Sequence, residues 1–392
     1  MKNFPQFQSF VQAGFECTSA LAENKKRLDL LGATKHDVLV STDYTLLKEI
    51  GIETVREGFS WNAIDTGTGQ YDFSRYLPIL EEGKKQGIQQ IWDLNHFDYP
   101  EYVDPFSEEF VFAFGRYAVE CLKQIKKFQT APIYITPLNE ISFFAWIGAD
   151  MGWWAPYKTG RANGFKFKKQ LVKASLKAMD EIWEVDPTVR FIHVDPYMRR
   201  KAKDPASETA KKQVREFNRI IRYQAWDMIA GKTCPELGGD PKYLDIIGMN
   251  YYIHNQEWVI SDQEEGKIHH QLMDWESDDR VSFAEMIKKV YLRYGRPILI
   301  SESGSFGEHR ERWWSRLFPE IEEALAMDLP VCGVCAYPIL DRPESAGFLL
   351  PNSGLWDFEC DDEACKRIPH QKVLEIIKMF NGKMERTNYE KS

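Results

Sequence analysis

Two glutamates, Glu140 and Glu302, follow the short apolar runs Ile133–Leu138 and Pro297–Ser301. A carboxylate at the end of an apolar run sits where a strand leaves a sheet, at the rim of whatever that sheet encloses. Alone, such a Glu is well explained as a rim ion pair. As a pair they could cleave a glycosidic bond: one protonated carboxyl delivers a proton to the leaving oxygen, and the other attacks carbon or activates water. The acid must hold its proton near neutral pH, which takes burial or a neighbouring negative charge. Other polar residues at the ends of apolar runs strengthen the pair: Asn139 beside Glu140, with Arg56, His96 and Tyr252 elsewhere.

The runs that must position these groups number eight: Val11–Cys17, Thr54–Trp61, Gln90–Asn95, Ile133–Leu138, Arg190–Asp195, Leu244–Tyr251, Pro297–Ser301 and Val331–Tyr337. Several are nearly continuous in apolar residues, as strands covered on both faces should be. Helical patterns lie between them. Phe110, Phe114, Tyr117, Cys121 and Ile125 share one stripe, with Ser107 as N-cap, acidic residues in the first turn and lysines near the end. Leu171, Ala174, Ala178 and Ile182 repeat the pattern until Asp186-Pro187 stops it. This alternation predicts an α/β fold, a (β/α)8 TIM barrel forming a single domain over 1–392; a doubly wound open sheet is the alternative. The longest stretch read as irregular, about 253–280, follows a strand and would form a substrate-side loop.

Composition narrows the function classes. The chain has 392 residues, 43% of them hydrophobic, with a formal net charge of −9. An acidic chain without a Lys/Arg block is poorly suited to phosphate backbones or anionic membranes, so neither nucleic acid nor a membrane is an expected partner. The first twenty residues lack the apolar core of a secretory signal, and no run is long enough to span a bilayer. Seven cysteines show no disulfide framework, which fits reduced thiols and a cytoplasmic location. Cys332-x-x-Cys335 lies in an apolar run, where residues three apart face opposite ways, so no metal site is expected there. No metal or cofactor is expected elsewhere, and a homo-oligomer is left open.

Several segments together resemble clan A glycoside hydrolases, and most closely glycoside hydrolase family 1, the β-glucosidase and β-galactosidase family. ITPLNE (Ile135–Glu140) resembles its W-x-T-x-N-E-P, and ILISESG (Ile298–Gly304) its I-T-E-N-G. DIIGMNYY (Asp245–Tyr252) is similar to D-F-x-G-x-N-Y-Y, LNHFDYP (Leu94–Pro100) to L-Y-H-W-D-L-P, and GLWDFE (Gly354–Glu359) to G-L-x-x-V-D. The resemblance implies a retaining β-glycosidase with a carbohydrate substrate, Glu140 as acid/base and Glu302 as nucleophile. It further implies that Asn139 and His96 hold sugar hydroxyls, and that Arg56 and Tyr252 support Glu302.

The chain departs from that pattern where the sugar would be read. Ile141 replaces Pro after the acid/base Glu, and Ser301 and Ser303 flank Glu302 in place of Thr and Asn. Tyr337 stands where a sugar-stacking Trp is expected, Glu344 aligns with a Glu that reads distal hydroxyls, and Glu16 lies near a first-strand Gln. Trp153, Trp154, Trp313, Trp314 and Trp356 are candidate stacking platforms. Two alternatives use the same residues: a transglycosylase, or a non-catalytic sugar-binding protein on a hydrolase fold, which would be expected to have lost one carboxylate. A barrel isomerase or aldolase would need a phosphate loop or a lone catalytic Lys, and neither is apparent.

Overall fold

A computed structural model describes residues 4–67, 69–130, 132–261, 267–342, 352–360 and 365–391. All eight expected strands form: β1 (Val11–Gly14), β2 (Thr54–Gly58), β3 (Gln89–Asp93), β4 (Tyr134–Thr136), β5 (Arg190–Pro196), β6 (Ile246–Asn250), β7 (Ile298–Ser303) and β8 (Val331–Ala336). They close into one parallel barrel, each strand paired with its neighbours in sequence and β8 paired with β1. The open-sheet alternative is thereby excluded. Side chains of alternate positions fill the barrel floor: Ile91, Tyr134, Ile192, Val194, Ile246, Leu299 and Cys332 pack together, with Phe7 against them. The opposite faces of the strands join the much larger core beneath the helices.

The two helices read from periodicity form as expected. The first, α1 (Glu108–Phe128), is capped by Ser107, whose Oγ accepts from the Phe110 amide at 3.3 Å. Its stripe from Phe110 to Ile125 is buried. The second, α2 (Arg161–Val185), ends just before Asp186-Pro187. Among the described residues, no helix is long and apolar enough to cross a membrane.

Two expectations need correction. The segment after β6 is not an irregular loop. Gln256–Ser261 and Ile268–Leu272 pair as an antiparallel hairpin, and Arg199–Ala202 adds a parallel third strand, with residues 262–266 outside the described set. The aromatic and β-branched run Trp258-Val259-Ile260 is a short strand signal hidden among polar and charged residues. Nor are all the thiols reduced. Cys360 and Cys365 are disulfide-bonded where the antiparallel strands Trp356–Cys360 and Cys365–Pro369 pair, while Cys332 and Cys335 are buried free thiols. An odd cysteine count cannot reveal which two residues a hairpin sets opposite each other.

A buried ionic cluster braces β2 from outside the barrel. His36 Nδ1 lies 2.7 Å from Asp43 and its Nε2 3.1 Å from Glu57, while Tyr44 donates to Glu57 at 2.7 Å and Arg367 pairs with Asp43. Burial by itself would lower the His36 pKa. The charge of Glu57 and hydrogen bonds to both carboxylates outweigh it and push the value to about 9. A raised folded pKa means stabilisation that is full below the unfolded value and is lost as pH rises through the folded one. Stability measured by urea denaturation should therefore fall by about 3 kcal/mol more for wild type than for His36→Gln between pH 6 and 10. Parallel pH profiles for the two proteins would show that His36 is not the titrating group.

Candidate active site

The C-terminal ends of the strands carry a continuous polar network. Its centre is Arg56 on β2, which is 3% exposed. Arg56 Nη1 donates to Glu302 at 2.6 Å, and Nη2 donates to Asp93 at 2.5 Å and Asn139 at 2.7 Å. A buried guanidinium is tolerable because two carboxylates compensate it, and their charges hold its pKa well above the ordinary value despite burial. The second oxygen of Glu302 accepts from the Tyr252 hydroxyl at 2.9 Å. Both carboxylate oxygens of Glu302 thus receive charged or hydroxyl donors, which fix its orientation.

How Glu302 comes to face this network is not a matter of simple strand alternation. Leu299 points to the barrel floor and Ile300 to the outer core. Regular alternation would turn Ser301 inward and Glu302 outward. Instead β7 carries one extra residue against both neighbours: Leu299 pairs with Gly248 but Glu302 with Asn250, and Ile300 pairs with Val334 but Ser303 with Ala336. This bulge re-aims the chain so that Ser301 and Glu302 both reach inward partners.

Glu140 is positioned by backbone rather than by strand register. It follows β4 with φ of 41°, in the left-handed region, and precedes the short helix Ile141–Ala145. A non-glycine residue there is strained by about 1 kcal/mol or more and needs local support. The Glu140 amide donates to the Val194 carbonyl at 3.1 Å, and Asp195 accepts from the Ser142 amide at 2.8 Å. On the side-chain side, Asn250 Nδ2 donates to Glu140 Oε1 at 2.8 Å, while Ser301 Oγ donates to Asn250 Oδ1 at 2.7 Å. The serine hydroxyl fixes which end of the amide faces Glu140. Burial, then the negative charge of Glu302, raise the Glu140 pKa well above the usual carboxylate value. A carboxyl that keeps its proton, beside a second one oriented by an arginine and a tyrosine, suits the roles of an acid and a nucleophile.

His96, in the turn after β3, completes the network. Its Nδ1 lies 3.0 Å from Asp93 Oδ2, so this partnership selects the tautomer protonated on Nδ1. Nε2 then accepts from Asn139 Nδ2 at 3.2 Å, with the Tyr337 hydroxyl 3.3 Å away. Tyr337 donates to Glu16 Oε1 at 2.9 Å, and its ring centroid lies 5.7 Å from both the Arg56 and Arg342 guanidinium carbons. Gly14 allows this close approach, since any side chain there would collide with the Tyr337 ring.

Eight residues singled out from sequence therefore meet in one network: Glu140, Glu302, Asn139, Arg56, His96, Tyr252, Glu16 and Tyr337. Trp153 does not join it; it is 41% exposed and packs edge-on against Trp146 at 5.7 Å. Glu344 lies outside the described residues. Trp154, Trp313, Trp314 and Trp356 are corrected to core residues, each 3% exposed or less. Trp313, for instance, donates from Nε1 to Ser303 Oγ at 3.0 Å. Sequence reading missed Asp93 and Arg342, saw Ser301 only as a departure beside Glu302, and gave Asn250 and Asp195 no role. Asp93 had a signal, an acid closing a strand just after Ile91-Trp92 and three residues before His96. Arg342 had none.

Cys17, Asp93 and His96 offer the one set of three candidate metal-ligand atoms among the described residues, all within 4.8 Å of one another. The chemistry fits an ion poorly. Burial and the Asp93 charge keep the Cys17 thiol protonated far above its ordinary pKa, and the facing atoms of Asp93 and His96 already bind each other and Arg56.

A closed parallel barrel with a paired acid and carboxylate at its C-terminal mouth is the architecture of a glycoside hydrolase. A family profile described as "Glycosyl hydrolase family 1" matches residues 21–233. The chain belongs to this family and is a glycoside hydrolase. Among solved structures, a β-glucosidase from Thermotoga maritima in complex with castanospermine is 17% identical, covering 97% of this chain and 98% of that one at a TM-score of 0.77. A second structure, of the family 1 β-glucosidase from Thermotoga maritima, matches with the same identity, coverage and score. At such identity the likeness speaks for the fold. No curated protein matches the sequence.

Proposed function

We propose that this protein is a retaining β-glycoside hydrolase that works by double displacement. Glu302 attacks the anomeric carbon as Glu140 passes its proton to the departing oxygen, leaving a glycosyl ester on Glu302. Water then attacks the same carbon, Glu140 takes the water's proton, and the Glu302 carboxylate is released. Arg56 and Tyr252 orient Glu302 and hold its charge. Asn139, through the second Nδ2 hydrogen, contacts a sugar hydroxyl, and His96, whose ring nitrogens are taken by Asp93 and Asn139, orients that amide. The observation that carries this reading is the division between the carboxyls: Glu140 raised by burial and by Glu302, and Glu302 held by Arg56 and Tyr252. The chain retains both carboxylates, which weighs against a non-catalytic binding protein. The test is turnover of 4-nitrophenyl β-glycosides with the anomer of the first-formed sugar followed by NMR. β-Anomer first is expected; α-anomer first would replace double displacement with inversion. Runs with added glycan acceptor separate hydrolysis from transfer.

Asp195 bears on the acid's working range. Burial raises its own pKa to about 6, against the lowering effects of Lys168 and Ser142. Above that pH its negative charge adds to the factors that keep Glu140 protonated. In Asp195→Asn, whose amide oxygen can still accept from Ser142, the Glu140 pKa should fall. The basic limb of the kcat/KM profile should then move to lower pH by about one unit or less. A basic limb that stays put would show that Asp195 serves only the backbone.

A further inference from the structure

Arg342 follows β8 and is partly buried beside the site, with 12% of its side chain accessible. Its Nε donates to Glu16 Oε2 at 2.7 Å. Neither Nη1 nor Nη2 has a hydrogen-bond partner among the described residues. Glu16 is not available as a reader of substrate, because its other oxygen already accepts from the Thr18 hydroxyl at 2.6 Å, the Thr18 amide at 3.2 Å and the Tyr337 hydroxyl at 2.9 Å. Glu16 therefore acts as a holder. The Arg342 charge and the hydrogen bond from Thr18 keep it ionised, with a pKa of about 2 despite burial. The charge of Arg342 is also felt by Tyr252, the residue on Glu302. An arginine clamped by one nitrogen beside a sugar site, with two parallel N–H groups left over, is a fork for two neighbouring oxygens.

We propose that Arg342, oriented by Glu16, is a specificity-determining residue that donates both Nη groups to two adjacent hydroxyls of a neutral glycone. This rests on the glycosidase reading above. A uronic acid carboxylate would also suit a fork, but the charges argue against it. With Glu140 protonated, the network holds the carboxylates of Glu16, Asp93 and Glu302 against the cations of Arg56 and Arg342. A carboxylate on the sugar would add a further buried negative charge to a site that already has one in excess, whereas hydroxyls add none. The Glu16–Arg342 pair thus supplies charged-donor strength without inviting an anion.

The experiment uses 4-nitrophenyl β-glycosides of neutral hexoses, their 3-, 4- and 6-deoxy forms, and the matching uronide. These are run on wild type, Arg342→Gln and the charge-neutral double variant Glu16→Gln/Arg342→Gln. The double variant leaves no unpaired buried carboxylate and so guards against simple misfolding. Wild type should prefer the neutral hexoside over the uronide. It should lose about 10- to 100-fold in kcat/KM at two neighbouring deoxy positions, and those penalties should shrink toward unity in both variants. Glu16→Gln, which removes the compensating charge, should shift preference toward the uronide. Unchanged deoxy penalties in the variants, or a wild type that favours the uronide, would overturn the role given to Arg342. A wild type that turns over no glycoside at all would instead overturn the glycosidase reading beneath it.

Discussion

Glu302→Ala is expected to lose at least about 10⁴-fold in kcat on aryl β-glycosides, because in the proposed double displacement it removes the group that forms the covalent bond and no neighbour can take its place. Arg56 and Tyr252 are donors, and Asp93 and Asn139 are engaged by Arg56. The fold should survive, since Arg56 keeps Asp93 as counter-charge. The deleted carboxylate leaves a space lined by the cation of Arg56 and the hydroxyl of Tyr252, the environment a small anion would enter. Azide should therefore restore turnover. It would attack the anomeric carbon from the face Glu302 had occupied, with nitrophenolate leaving, and give the α-glycosyl azide. An Ala variant with wild-type turnover, or an azide product of β configuration, would remove Glu302 from the nucleophile's role.

The second large effect belongs to Glu140→Gln. The amide can keep the hydrogen bond from Asn250 but cannot deliver a proton. Alkyl glycosides and oligosaccharides, whose leaving oxygen must be protonated, should lose about 10²- to 10⁴-fold. Dinitrophenyl glycosides leave without a proton, so their first step should persist and show a burst, with slow release of the glycosyl-enzyme once the base is absent. The basic limb of the pH profile, set in wild type by loss of the raised Glu140 proton, should vanish. Equal losses on all leaving groups with an unaltered limb would point to another acid.

How much of this was legible beforehand follows from the range over which each feature is determined. Eight apolar runs at barrel spacing reflect the local need of a strand covered on both faces, and they suffice to place Glu140, Arg56, Asn139, His96, Tyr252 and Glu302 at strand ends. The inward turn of Glu302 was not legible. It depends on an extra residue in β7 relative to both neighbours, and register belongs to strand pairs, not to one chain segment. The same holds for Asn250, which becomes a ligand of Glu140 only because Ser301, on another strand, claims its oxygen.

The tryptophans illustrate the converse. Ring chemistry suggested stacking platforms, yet four of the five candidates proved to be core, because burial of a large apolar face depends on what the helices bring against it. The sequence by itself determined the barrel and the two carboxylates, since strand patterning and side-chain chemistry are properties of short segments. Only the tertiary structure decided that one carboxyl keeps its proton, that the other is held by Arg56, and that Arg342 and Glu16 form a wall beside them. Charge and burial in a closed barrel are set by residues hundreds of positions apart, such as the 326 that separate Glu16 from Arg342.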